Sequence, residues 1–135
     1  LWKIHASAIG EAMVLAKKAG LEPDVWWEVM KGGAADSFVL HHDVPSIFAG
    51  HYDPSFRVEL ALKDLDLIQE LIKENNTRSE LTNAAHERFK EAKKRYGDEA
   101  GEMTVCKLIE EDANINLQVD GNWIAPWEVK HPNDK

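Results

Sequence analysis

The chain has 135 residues, 44% of them apolar and 30% charged, with a formal net charge of −8. That size and balance suit one globular domain with a real core. Acidic residues are spread along the chain and no basic patch is visible, which argues against a nucleic-acid partner. No apolar run approaches the length of a bilayer-spanning helix, so no membrane role is expected. The one cysteine, Cys106, allows no internal disulfide and fits a reducing compartment, read here as the cytoplasm.

The chain opens on Leu1-Trp2-Lys3-Ile4, already inside a helical pattern and without an initiator methionine. We expect a piece of a longer protein. Ile4, Ala8, Ala12, Leu15 and Ala19 recur at helical spacing as far as Gly20, which supplies the stop. Ala6, Ala8, Gly10 and Ala12 give this helix a small-residue face that permits close approach of a neighbour, with Glu11 in its midst. Pro23 and Asp24 suit the first turn of a short second helix ending at Gly32-Gly33. Asp36 or Ser37 can cap a third helix carrying Phe38, Val39 and Leu40, which Pro45 bends or restarts.

A long helix follows over 56–75. Its apolar residues, among them Phe56, Leu60, Leu65, Leu67, Ile68 and Leu71, cover well over half the circumference at about 100° per residue. That arc predicts a central helix buried on most sides. Asp64 falls inside the arc and Lys63 at its edge, so the carboxylate needs a partner. Thr77-x-x-Glu80 reads as a capping box opening a fifth helix from Arg78 to Tyr96. Its cationic end, Lys90 to Arg95, suits the helix dipole and a solvated face. A sixth helix begins at Glu102 or Thr104. The segment 116–135 loses the helical period, and its rings Trp123 and Trp127 must dock if it is to be ordered. No strand alternation appears. The fold class is all-α, about six helices around a central buried one, with a domain over 1–115 and a tail over 116–135.

Little of this carries chemistry on its own. His41 and His42 diverge by about 100° on a helix, and no HxxxH or CxxC pair exists, so no metal site is expected. Cys106 reads as core. Asn75-Asn76-Thr77 matches a glycosylation sequon, but helix termination explains the asparagines better. No glycine-rich phosphate loop follows a strand, so the chain holds no nucleotide fold of its own.

An ordered set of motifs goes further. Glu11-Ala12-x-x-Leu15-Ala16-x-x-x-Gly20, Pro23-Asp24, Gly32-Gly33-x-Ala35-x-Ser37, Phe56 and Leu60-x-x-Lys63-Asp64-Leu65 stand in matching separations. Together they resemble the C-terminal helical domain of the β-hydroxyacid dehydrogenases. These include the 2-hydroxy-3-oxopropionate reductases and 3-hydroxyisobutyrate dehydrogenases, relatives of 6-phosphogluconate dehydrogenase. The resemblance implies an NAD(P)-dependent oxidoreductase acting on a small hydroxyacid, with the cofactor, NAD or NADP, held mainly by a separate Rossmann domain. It places the family's catalytic lysine, and an asparagine four residues after it, upstream of Leu1, so no catalytic residue is assigned here and the chain alone is expected to be inactive. Lys3 does not match that lysine. By the same resemblance Lys63 contacts the cofactor near its nicotinamide end, with Asp64 orienting it or bonding to neighbouring backbone, while Phe56, Asp64 and Ser37 lie on the substrate side. A plain helix–helix turn accounts equally well for the Gly32–Ser37 segment. Glu102 and Thr104 stand where the family tends to have aspartate and serine. A homodimer or higher homo-oligomer is expected. The rival reading is a non-catalytic all-α interaction module with the tryptophan tail as its docking peptide.

Overall fold

The structure is a computed structural model and describes residues 1–124 and 128. Among these every regular element is a helix. The elements are α1 (Trp2–Lys18), α2 (Pro23–Met30), α3 (Phe38–His42), α4 (Val44–Phe48), α5 (Val58–Glu74), α6 (Glu80–Tyr96) and α7 (Thr104–Ala113). The only extended pairing among the described residues is an isolated bridge between Arg57 and Gly101. The all-α expectation holds. The count rises from six to seven because Pro45 splits the third helix: Asp43 ends α3, and Val44-Pro45 starts α4.

The helix at the centre is α1, not α5. Ala6, Ser7, Gly10, Met13, Val14 and Ala16 are buried along it, and it packs on α2, α3, α6 and α7. Its small-residue face makes this possible. A Cβ built on Gly10 would stand 2.9 Å from Cys106 Sγ and 3.2 Å from Cys106 Cα, so only a glycine lets α7 come this close. Cys106 is fully buried there, its thiol donating to the Ala6 carbonyl at 3.3 Å. Glu11, at the edge of this face, reaches Arg88 on α6 at 2.6 Å.

The expectation that the 56–75 helix is buried on most sides is corrected. α5 buries only Val58, Ala61 and Leu65, while Leu67 is 56% exposed and Leu71 59%. A wide apolar arc predicts how much of a helix can be covered, not how much one neighbour covers. Here α5 lies on α6, and the far side of the arc faces outward.

Caps follow local chemistry. Ser37 Oγ accepts from Leu40 N and caps α3, whereas Asp36 takes Gly32 N and Ser37 N to hold the preceding turn. The Thr77–Glu80 capping box does not form. α6 starts at Glu80 with Ser79 as N-cap and no side-chain cap bond, and the Glu80 carboxylate is taken by Arg78. On α6 the core face holds Ala85, His86, Phe89 and Ala92, leaving Leu81 70% exposed. Beyond α7 the chain returns across the core. Leu117 is fully buried, Val119 N donates to Phe48 O, and Trp123 packs edge-on to Trp27 at 5.7 Å and against Phe48 at 4.8 Å. Trp127 lies outside the described residues.

Candidate active-site wall around Lys3, Phe56 and Asp64

Two irregular segments, 52–58 and 100–103, cross beneath the start of α5. Met103 N donates to Tyr52 O, Glu102 N to Phe56 O and Val58 N to Ala100 O. Gly101 sits at the crossing, where any Cβ would run into the carbonyl oxygens of Tyr52 and Asp53. Tyr52 and Asp53 both take left-handed backbone, with φ of 53° and 50°. The crossing therefore fixes Phe56 and Glu102 side by side in backbone register.

Into this corner points the first turn of α1. Lys3 is an unusually sheltered lysine, its side chain 18% exposed. Its Nζ lies 3.2 Å from Asp64 Oδ2 on α5, 5.6 Å from the centre of the Phe56 ring and 5.5 Å from that of Trp2. Trp2 Nε1 donates to the buried Asp43 at 3.0 Å. Burial pushes the Asp43 carboxyl above its ordinary value, against the opposing pull of His42 beside it. Glu102 is 8% exposed, and burial pushes its carboxyl up to about 8. Lys3 is the nearby cation that counters this, while Asp53, Asp43 and Asp64 reinforce it. The cluster thus holds one ammonium, one half-exposed carboxylate and two buried carboxyls, of which Glu102 favours its neutral form near pH 7, framed by two aromatic rings.

The residues singled out in the sequence divide. Phe56 and Asp64 come together, but around Lys3. Asp64 is not buried among apolar neighbours. Its side chain is 51% exposed, and it bonds to Lys3 instead of orienting Lys63. Lys63 is exposed and makes no ion pair among the described residues. An α-helix turns successive side chains about 100° apart, so Lys63 points along a different face from Asp64. It is accessible to an anionic ligand arriving at α5. Ser37 lies apart, in a hollow of about 280 Å³ that the 34–37 turn shares with His5, Ala8 and Ile9 of α1. His41 of α3 meets Asp36 of that turn at 2.6 Å and draws the Asp36 carboxyl below its ordinary value. His42 turns the other way, to Asp43. Among the described residues no three His, Cys, Asp or Glu side chains converge as metal ligands would.

Lys3, Trp2 and Glu102 are the members that sequence reasoning missed. The signal was present for Lys3. It stands three and four residues before Ala6 and Ser7, on the same buried face of α1. For Glu102 the glycine before it was the only hint.

Comparison with known proteins gives this fold its class. A solved 3-hydroxyisobutyrate dehydrogenase from Salmonella typhimurium is similar to it with a TM-score of 0.75 and 28% identity, over 80% of this chain and 38% of that one. The sequence profile described as "NAD-binding of NADP-dependent 3-hydroxyisobutyrate dehydrogenase" matches residues 1–109, and the chain belongs to that family. Among curated relatives, the L-threonate dehydrogenase of Haemophilus influenzae is 33% identical over 71% of this chain and 32% of its own length. That of Cupriavidus necator is 32% identical over 64% and 29%. Glyoxylate/succinic semialdehyde reductase 1 of Arabidopsis thaliana is 32% identical over 64% and 30%. The chain spans about a third of the length of these relatives.

Proposed function

We propose that this chain is the helical half of an NAD(P)-dependent dehydrogenase that moves a hydride between the nicotinamide ring and the carbinol carbon of a small hydroxyacid. The observation that carries this reading is the family match across residues 1–109, which embraces every residue of the wall around Lys3, Phe56 and Asp64. The relatives named for L-threonate, 3-hydroxyisobutyrate, glyoxylate and succinic semialdehyde all point to short oxygenated acids. Nicotinamide supplies the hydride chemistry when bound. This chain supplies binding and shape. Lys63, on the outward face of α5, takes an anionic group of the cofactor. Phe56 borders the substrate, and the 34–37 turn with Ser37 closes the far side. The proton-transfer group is a lysine on the helix that joins a nucleotide-binding half to this chain, positioned as a general acid/base. Two copies of the complete protein pair as a homodimer in this reading.

The test is Lys63→Ala in the complete enzyme. Loss of one charge-assisted contact raises the KM for the cofactor about tenfold and leaves the KM for the hydroxyacid nearly unchanged. An unchanged cofactor KM removes Lys63 from the cofactor site.

A further inference from the structure

Resting on the dehydrogenase reading, we propose that Lys3 selects the substrate: its ammonium, reaching from α1 to Asp64 on α5, receives the carboxylate of the hydroxyacid. The geometry behind this is a sheltered ammonium that joins two helices through its side chain. α5 packs on α6 while α1 packs on α6 and α7, so the two helices make little direct contact with one another. The Lys3 side chain crosses between them to Asp64 at 3.2 Å. Asp64 is 51% exposed, so a ligand that reaches it from solvent meets this ammonium beside it.

The chemistry of the crossing suits an acid. An ammonium has three N–H donors, and the Asp64 oxygen takes one. Asp64 is half exposed, so an incoming carboxylate can share Lys3 with it or replace it, exchanging one anion for another. The other carboxyls facing this corner are Glu102, Asp43 and Asp53. Glu102 is buried. Asp43 accepts from Trp2 Nε1 and meets His42, and Asp53 accepts from the Ser55 amide at 3.0 Å. The Phe56 and Trp2 rings, both within 6 Å of the ammonium, flank it and shelter the charge from water. Sheltering strengthens a charge-assisted bond to a carboxylate relative to the same contact in open solvent. Lys63 and Lys3 then divide the recognition, the first toward the cofactor and the second toward the acid.

The experiment uses the complete enzyme with NAD and NADP and a panel of small hydroxyacids that includes L-threonate and 3-hydroxyisobutyrate. The amide of each acid serves as an uncharged twin. Lys3→Met raises the KM for the acids about tenfold, with kcat and the cofactor KM within about twofold, and abolishes the preference for acid over amide. Lys3→Arg returns the acid KM to within about threefold, since it restores the cation. An unchanged acid KM in Lys3→Met overturns the proposal and leaves the dehydrogenase reading standing. So does a variant that loses acid and amide turnover alike or raises the cofactor KM, because Lys3 is then only a strut between helices. Failure of the wild-type enzyme to turn over any acid of the panel overturns the dehydrogenase reading, and the Lys3 assignment with it.

Discussion

Replacing Glu102 with glutamine isolates the electrostatic character of the corner. In the unfolded chain this carboxyl titrates near its ordinary 4.5, and in the fold near 8. Between those values the folded protein holds a proton that the unfolded chain has released. The stability contributed by this group therefore falls as pH rises through that interval. Each tenfold change in proton affinity is about 1.4 kcal/mol, which caps the loss at roughly 5 kcal/mol above pH 8. Relaxation around the ionised group reduces this, and we predict about 2 kcal/mol. Glutamine keeps the shape of the protonated carboxyl and cannot ionise. Urea unfolding of the chain and its Glu102→Gln variant is to be compared at pH 4, below the unfolded value, and at pH 9. The two are nearly equal in the acid, and the variant is the more stable in the alkali. Glu110, which burial pushes up to about 7, titrates in both proteins and cancels from the difference. A difference that does not change with pH would refute the reasoning.

Three further substitutions probe the scaffold. Gly10→Ala forces α1 and α7 apart and lowers stability by about 1–3 kcal/mol, read as a shifted urea midpoint. Part of that loss returns in Gly10→Ala with Cys106→Ala, because the clash with the sulfur disappears while the crowding against the Cys106 backbone persists. Gly101→Ala displaces the 52–58 segment and is the more damaging change, giving a loss above about 2 kcal/mol and altered near-ultraviolet ellipticity from the corner's aromatic rings. Trp123→Ala frees the return segment from Trp27 and Phe48, at a cost of about 1–2 kcal/mol, with faster amide exchange at Val119.

Most of the helices were legible because their signals are local. Gly20, Pro23, Ser37 and Pro45 each mark a boundary within a residue or two of where it falls. Burial was less legible, because it depends on which neighbour arrives. The arc of Leu67, Ile68 and Leu71 reads as core and lies exposed, while the plain small-residue face of α1 is the true centre. The candidate site was legible in part for the same reason. Phe56 and Asp64 stand out in the sequence and do meet in the fold, yet through a third residue. That partner, Lys3, lies 61 residues from Asp64, and no spacing rule joins them. Glu102 reads as a helix-start residue; only the crossing at Gly101 buries it beside Phe56.

The account rests on this chain being one wall of a dehydrogenase whose cofactor fold lies elsewhere in the protein. The direct measurement is hydroxyacid-dependent reduction of NAD or NADP, followed by absorbance, for the complete protein and for these 135 residues alone. Turnover by the complete protein, with no turnover and no measurable cofactor binding by the 135-residue chain, is the predicted result. A complete protein that reduces neither cofactor with any small hydroxyacid, or a 135-residue chain that binds the cofactor tightly unaided, would contradict it.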